Sequence, residues 1–332
     1  MRPLVSFVIP VRNDAERLRR CLTSIIHNDY PRELIEIIVV DNQSTDGSGR
    51  VARDHGAIVL QVGGAGVAGL RNRGARAALG SVIAFVDADH EIDRCWVSTA
   101  VDVLASPAVA ATGSAYLPDP NGNWVQQQYD GLRWRTARRE EVNWLGSGNL
   151  AVKRHAFETV GGFDATLTAC EDVDFCNRLR QAGYRIVADP ALRSVHFGDP
   201  RTLRALFLGE LWRGRDNLRV TWSGPRTFRD LRSAIVPLGD LAIIMAGITA
   251  LLTAHLVIAL VLWSLALIPA ALRAMIILRN RLTAALVSAR SELSPVHVAR
   301  DAVQAMAVAV VFDVARALAI VTRADHEVRR SA

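Results

Sequence analysis

Lysine is almost missing from this chain: Lys153 is the only one in 332 residues, so arginine carries nearly all of the basic charge. The formal net charge is +6, which suits an anionic small ligand or an anionic membrane face. No dense basic run is interleaved with aromatics, so nucleic acid is not expected as a partner. Cysteine is scarce too. Cys21, Cys95, Cys170 and Cys176 form no C-x-x-C pair, and no histidine stands at zinc-finger spacing from them, which excludes a zinc finger or a disulfide scaffold. Reduced thiols in a cytosolic compartment are expected. After Met1-Arg2-Pro3 the chain reads as a strand, with no h-region or cleavage site, so no secretory signal is expected. Charge is absent altogether between Leu241 and Leu272, a stretch longer than the ~20 residues that one membrane span needs.

What is present is α/β alternation in the first 200 residues. Leu4 to Ile9 is a β-branched run stopped by Pro10. Asp14 to His27 places Leu18, Leu22, Ile25 and Ile26 on one helical face. Ile35 to Val40 is a second strand, Ser48 to His55 a helix, Ala57 to Val62 a third strand, Val67 to Leu79 a helix and Ser81 to Val86 a fourth strand. Helices are also expected over residues 153–160 and 171–182. Continuous apolar strands joined by helices predict a mostly parallel sheet covered on both faces. Right-handed crossovers then bring the strand ends to one edge, where ligands of such sheets bind. Residues 115–145, with Trp124, Tyr129, Trp134 and Trp144 among prolines and glycines, read as a long functional loop.

The charge-free stretch predicts a helical hairpin from 226 to 280. Arg226, Arg229 and Arg232 precede it, and Arg273, Arg279 and Arg281 follow it, placing both ends on the cytoplasmic side. Residues 281–332 are expected to form an amphipathic helical tail.

Several motifs carry chemistry. Gly64-Ala65-Gly66-Val67-Ala68-Gly69 fits a dinucleotide fingerprint and allows an NAD-dependent oxidoreductase as an alternative. It follows the third strand rather than the first, however, and leaves the acidic strand ends idle. A non-catalytic membrane scaffold is the other alternative. Asp87-Ala88-Asp89 ends a strand and could hold a hard cation together with substrate phosphates. Asp41, at the end of another strand, could accept hydrogen bonds from a nucleobase, while Ser44 and Asp46 read as caps. Glu171-Asp172 opens a helix, and a carboxylate there that faces a cleft is a candidate general base.

Six pieces stand together in order: Pro10-Val11-Arg12-Asn13, Val39 to Ser48, Arg71-Asn72-Arg73-Gly74, Phe85 to Asp89, Gly161-Gly162-Phe163-Asp164 and Glu171 to Phe175. This set resembles the family 2 glycosyltransferases over roughly residues 4–200. The resemblance implies a Rossmann-like GT-A fold over residues 1–225 and inverting transfer from a nucleotide sugar (UDP-, GDP- or dTDP-linked) with Mg²⁺ or Mn²⁺. It implies Pro10, Val11 and Asp41 by the nucleobase, Arg71 and Asn72 by the nucleoside and phosphates, and Asp87 by the ribose and metal. Asp89 would ligate the metal, helped by His196, and Asp172 would be the base with Glu171 beside it. Gly148, Asn149 and Trp144 would line the sugar and acceptor pocket. The acceptor is expected to be lipid-linked or a glycan, at the cytoplasmic face of the cell membrane, in cell-surface polysaccharide or glycolipid synthesis. Glu210-Leu211-Trp212-Arg213 resembles the Gln-x-x-Arg-Trp element of processive synthases, with Glu for Gln and Trp before Arg. One sugar per encounter is therefore expected.

Overall fold

A computed structural model describes residues 2–133, 135–224, 228–288 and 295–321. The chain forms two compact units. The first comprises Met1–Asp119 and Trp134–Gly198, and the second Pro120–Arg133 and Asp199–Ala332.

The strands are β1 (Val5–Val11), β2 (Ile35–Asp41), β3 (Ile58–Gln61), β4 (Val82–Val86), β5 (His90–Ile92), β6 (Val109–Gly113), β7 (Leu117–Pro118), β8 (Glu140–Glu141), β9 (Asn149–Lys153), β10 (Arg185–Ala188) and β11 (Ser194–His196). The helices are α1 (Ala15–Ile26), α2 (Ser48–Asp54), α3 (Val67–Ala77), α4 (Trp96–Leu104), α5 (Trp124–Asp130), α6 (Arg154–Thr159), α7 (Glu171–Gln181), α8 (Leu203–Arg213), α9 (Asn217–Ser223), α10 (Phe228–Leu252), α11 (Leu256–Ser288) and α12 (Pro295–Val321).

The first unit is built on an eight-stranded sheet of order β3-β2-β1-β4-β9-β6-β10-β8. It is mostly parallel, as the apolar runs predict, but β9 lies antiparallel between β4 and β6, and β8 is antiparallel to β10. Alternation along β1 feeds two cores. Phe7 and Ile9 pack with Leu18, Leu22 and Trp96 on one face, and Val8 packs with Ala68, Phe85 and Phe157 on the other. Strand β1 does not stop at Pro10. It continues to Val11 and pairs with β2, Pro10 lying opposite Val40. The β4 pairing ends at Val8, and the Val11 carbonyl points to β2, accepting from Asn42 N–H. Pro10 therefore faces the unpaired side, where its missing N–H costs nothing.

A small second sheet, β5-β11-β7, sits beyond the end of β4. In it His196 lies directly opposite His90. The expected loop over 115–145 is interrupted by α5, which starts with an Asn123–Gln126 capping box and belongs to the second unit. Trp134 lies outside the described residues.

The second unit is helical. Helices α8 and α9, placed by the sequence reading in the first domain, pack with α12 and α10 respectively. Helices α10 and α11 form an antiparallel hairpin turned at Ala254 (φ 62°). Three segments are long and apolar enough to cross a membrane: Ile235–Leu252, Leu256–Thr283 and Val296–Ile320. The third falls in the expected amphipathic tail, of which residues 289–294 and 322–332 lie outside the described residues. Three of its charges are matched within the unit: Asp301 with Arg281, Asp313 with Arg273, and Arg316 with Glu210.

Candidate active site

The carboxyl ends of β1, β2 and β4 meet at one edge of the sheet. Asp41 ends β2 and is 2% exposed. Its Oδ1 accepts from Ser44 N–H at 2.9 Å and its Oδ2 from Gln61 Nε2 at 2.8 Å. Asp41 thus fixes the turn after β2, with both oxygens already engaged. The neighbouring loops are latched together: Thr45 N–H donates to Asn13 Oδ1 at 2.7 Å, and Ala15 N–H donates to Asp46 Oδ2 at 2.8 Å. Asp46 also accepts from Ser48 N–H at 3.0 Å, so it ties together the starts of α1 and α2, while the N-cap position of α2 is Gly47. Pro10 and Val11 sit beside this turn, opposite Val40 and Asp41.

Past β4, Asp89 stands among basic groups. Its Oδ2 is 3.4 Å from His196 Nε2 and 3.9 Å from Arg17 Nη1, and its Oδ1 is 4.0 Å from His90 Nε2. Burial alone would raise its pKa. His196, His90 and Arg17 outweigh that and hold the carboxyl well below the usual range. Ligand atoms of Asp89, His90 and His196 all lie within 4.8 Å of one another, so the three could hold a metal ion. His90 is buried, and its Nδ1 is 3.1 Å from Ser194 Oγ, the kind of outer partner that orients a ligating imidazole. Tyr116 packs edge-on against His90 with ring centres 4.4 Å apart. The sequence reading named Asp89 and His196 but not His90, although His90 directly follows Asp89.

Arg71, on α3, is buried between two carboxylates. Nη2 donates to Asp87 Oδ1 at 2.6 Å and Nη1 to Glu171 Oε1 at 2.8 Å. Burial opposes its charge, but Asp87 and Glu171 prevail and keep it protonated. Arg71 therefore ties the end of β4 to the start of α7. Asn72 is occupied as well: its amide donates to Phe163 O at 2.7 Å and accepts from Phe163 N–H at 2.9 Å. Both residues hold the site together through protein contacts.

Asp172 follows Glu171 in the first turn of α7, which is entered through Cys170 in a left-handed conformation (φ 60°). It accepts from Val173 N–H at 2.8 Å and from the Ser147 backbone. Burial, and then the Glu171 charge, push its pKa up to about 7. A carboxylate poised near neutrality suits a general base.

The segment Gly146-Ser147-Gly148 runs between these groups. A Cβ on Gly148 would lie 2.6 Å from Asp87 Oδ2 and 3.2 Å from His90 Nε2, and one on Gly146 would meet the Tyr116 hydroxyl and come within 3.8 Å of Asp172. Glycine at 148 lets the backbone pass close to Asp87, and glycine at 146 leaves room for the Tyr116 hydroxyl. Trp144, just before, is 48% exposed. Asn149, expected in the sugar and acceptor pocket, has its side chain engaged by protein partners. It is fully buried, accepting from Trp96 Nε1 at 2.7 Å and donating to Ser114 O and Leu192 O.

An open α/β sheet with acidic strand ends, a cation-competent cluster and a poised carboxylate on one edge defines a GT-A fold. Residues 6–158 match the family model described as Glycosyl transferase family 2, and the chain is similar to named glycosyltransferases over that region. It is 30% identical over 194 residues to glycosyltransferase AglE of Haloferax volcanii, covering 55% of this chain and 64% of that protein. It is 30% identical over 213 residues to the pre-mycofactocin glycosyltransferase of Mycobacterium tuberculosis, covering 60% of this chain and 43% of that protein. The chain thus matches less than two thirds of the length of either relative. Among solved structures, the fold is that of mannosyltransferase PcManGT from Pyrobaculum calidifontis, solved with GDP-Man and Mn²⁺. The TM-score is 0.56 at 22% identity, over 94% of this chain and 87% of that one. The Gly64–Gly69 segment follows β3, the edge strand, and lies inside the residues matched to the glycosyltransferase family model.

Proposed function

We propose that the protein is a metal-dependent inverting glycosyltransferase that moves one sugar per encounter from a nucleoside diphosphate sugar to a lipid-linked or glycan acceptor. The observation that carries this reading is the joining of two chemistries at one edge. The Asp89–His90–His196 cluster and the poised Asp172 are linked by Arg71 and by the 146–148 backbone.

Asp89 with His196, and His90 behind them, fit a divalent cation. The imidazoles favour Mn²⁺ over Mg²⁺, which prefers an all-oxygen octahedron. Such a cation would neutralise charge on the departing diphosphate. Asp172 takes the proton of the acceptor hydroxyl. The acceptor oxygen then bonds to the anomeric carbon from the face opposite the leaving group, the bond to the diphosphate oxygen breaks, and the anomeric configuration inverts. Arg71 and Glu171 are positioning residues: they hold Asp87 and keep Asp172 poised. Pro10, Val11 and the turn fixed by Asp41 form the nucleobase side. Gly148 leaves room for the donor sugar, and Trp144 offers an apolar face to the acceptor. The three apolar helices attach the enzyme to the cytoplasmic face of the cell membrane, where nucleotide sugars are made, for cell-surface polysaccharide or glycolipid synthesis.

The test is thermal stability of the full chain in mild detergent against UDP, GDP, dTDP and CDP, each with Mn²⁺, Mg²⁺ or EDTA. A ligand at 100 times its Kd adds about 2.7 kcal/mol. Stabilisation by one diphosphate with Mn²⁺, abolished by EDTA, is expected and names the donor class. Equal stabilisation in EDTA would overturn the metal dependence.

A further inference from the structure

Helices α10, α11 and α12 enclose a cavity of about 220 Å³ that is nearly all apolar, walled by Ile244, Trp263, Ala270 and Val310. Two carboxylates break that lining: Asp240 from α10 and Asp313 from α12. Both are more than nine-tenths buried. Arg273 donates to Asp313 through Oδ1 alone, at 2.9 Å from Nε and 2.8 Å from Nη2. Asp313 Oδ2 is buried with no protein hydrogen-bond partner among the described residues, and Asp240 makes no protein hydrogen bond there either. Two acidic groups and one arginine leave one excess negative charge in an apolar cavity, an arrangement that calls for a compensating cation.

The cavity is far larger than a metal ion needs. Its wall includes Leu267, half exposed on the outward apolar side of α11. An ammonium group brings N–H donors to the open oxygens of Asp240 and Asp313. The Nη1 of Arg273, outside its bonds to Asp313, is available to a phosphate. We propose that this cavity binds the headgroup of an aminophospholipid, with the ammonium between Asp240 and Asp313 and the phosphate toward Arg273. The acyl chains would run along the exposed leucines and isoleucines of α11. The proposal rests on the membrane part of the proposed function and is independent of the sugar-transfer chemistry.

The experiment places the full chain in phosphatidylcholine nanodiscs and titrates in phosphatidylethanolamine, phosphatidylglycerol or phosphatidylcholine with brominated chains. Emission from Trp263 is isolated as the difference between the parent and Trp263→Phe. Charge-assisted N–H bonds predict half-quenching at about tenfold lower mole fraction of the ethanolamine lipid than of the choline lipid, which lacks N–H. Asp240→Asn is expected to erase most of that preference, and Ala270→Leu to remove it by filling the cavity. Equal quenching by all three lipids, the result if a proton alone neutralises the cluster, overturns the proposal and leaves the membrane reading standing. Failure of the chain to enter nanodiscs overturns both.

Discussion

At the scale of single residues, two side chains decide how the site behaves. Arg71 faces Asp87 and Glu171 from a buried position. Removing it strands two carboxylates, a loss that costs about 3–5 kcal/mol when a buried pair is broken. Arg71→Met is expected to lower the thermal midpoint by roughly 5–10 °C. Arg71→Lys should fall between, since it keeps the charge and loses the fork. Asp172 makes the opposite trade. Its folded pKa of about 7 lies above its unfolded value, because burial and Glu171 disfavour the charged form. The stability it contributes is complete below about pH 4 and is lost as pH rises through about 7. Asp172→Asn should therefore abolish transfer and yet be more stable than the parent at pH 8, by on the order of 2 kcal/mol, with the difference vanishing near pH 4. Transfer by the parent should fall about tenfold per pH unit below 7. An active Asn variant, or a flat pH–rate profile, would remove Asp172 from the base role.

At the scale of elements, the 146–148 segment and the helix α8 each carry a test. Gly148→Ala drives a Cβ against Asp87, which Arg71 prevents from swinging away. Mn²⁺ affinity measured by calorimetry should weaken about tenfold or more, with the unfolding midpoint little changed. Glu210 on α8 is fully buried, accepting from Tyr129 at 2.6 Å, Arg213 at 2.9 Å and Arg316 at 2.7 Å. Burial would raise its pKa, but Arg316 and Arg213 hold it at about 2. That stability is present above about pH 4.5 and lost as pH falls toward 2. Glu210→Gln should destabilise the helical unit by about 3–5 kcal/mol, read as loss of helical circular dichroism at lower denaturant. The resemblance to a processive synthase element at this position has a physical counterpart: Glu210 serves packing of α5, α8 and α12. Legibility followed locality throughout. Strands β1, β2 and β4 and helices α1 and α3 were readable because their apolar periodicity and turn residues lie within each segment. Strands β6 and β9 and helix α4 were not: β9 lies antiparallel between β4 and β6, a pairing with segments remote in sequence that nothing within Asn149–Lys153 announces. The bonds of Asn149 to Trp96, Ser114 and Leu192 were not legible because all three partners lie remote in sequence. His90 was missed for the same reason: its pairing with His196 exists only once β5 and β11 meet.

At the scale of the whole molecule, the distribution of cysteine supplies a direct test of sidedness. All four cysteines fall in the first unit. Cys21 and Cys176 are buried, Cys170 is half-buried and Cys95 is exposed at the start of α4. An exposed thiol reacts with a maleimide, whereas one sealed in a core does not. If the three apolar helices hold the chain in a membrane with the first unit in the cytosol, a membrane-impermeant maleimide should leave intact spheroplasts unlabelled. It should label the chain in inverted vesicles, and Cys95→Ser should remove most of that signal. The same preparation separates insertion from surface attachment. Bare electrostatic adhesion through arginine is screened by salt, while helices with outward-facing leucine, isoleucine and valine are held by apolar burial, which salt does not weaken. The chain is therefore expected to stay in the membrane pellet through high-salt and carbonate washes. Labelling of Cys95 from outside intact cells would place the domain on the face without nucleotide sugars and overturn the proposed cytosolic donor supply.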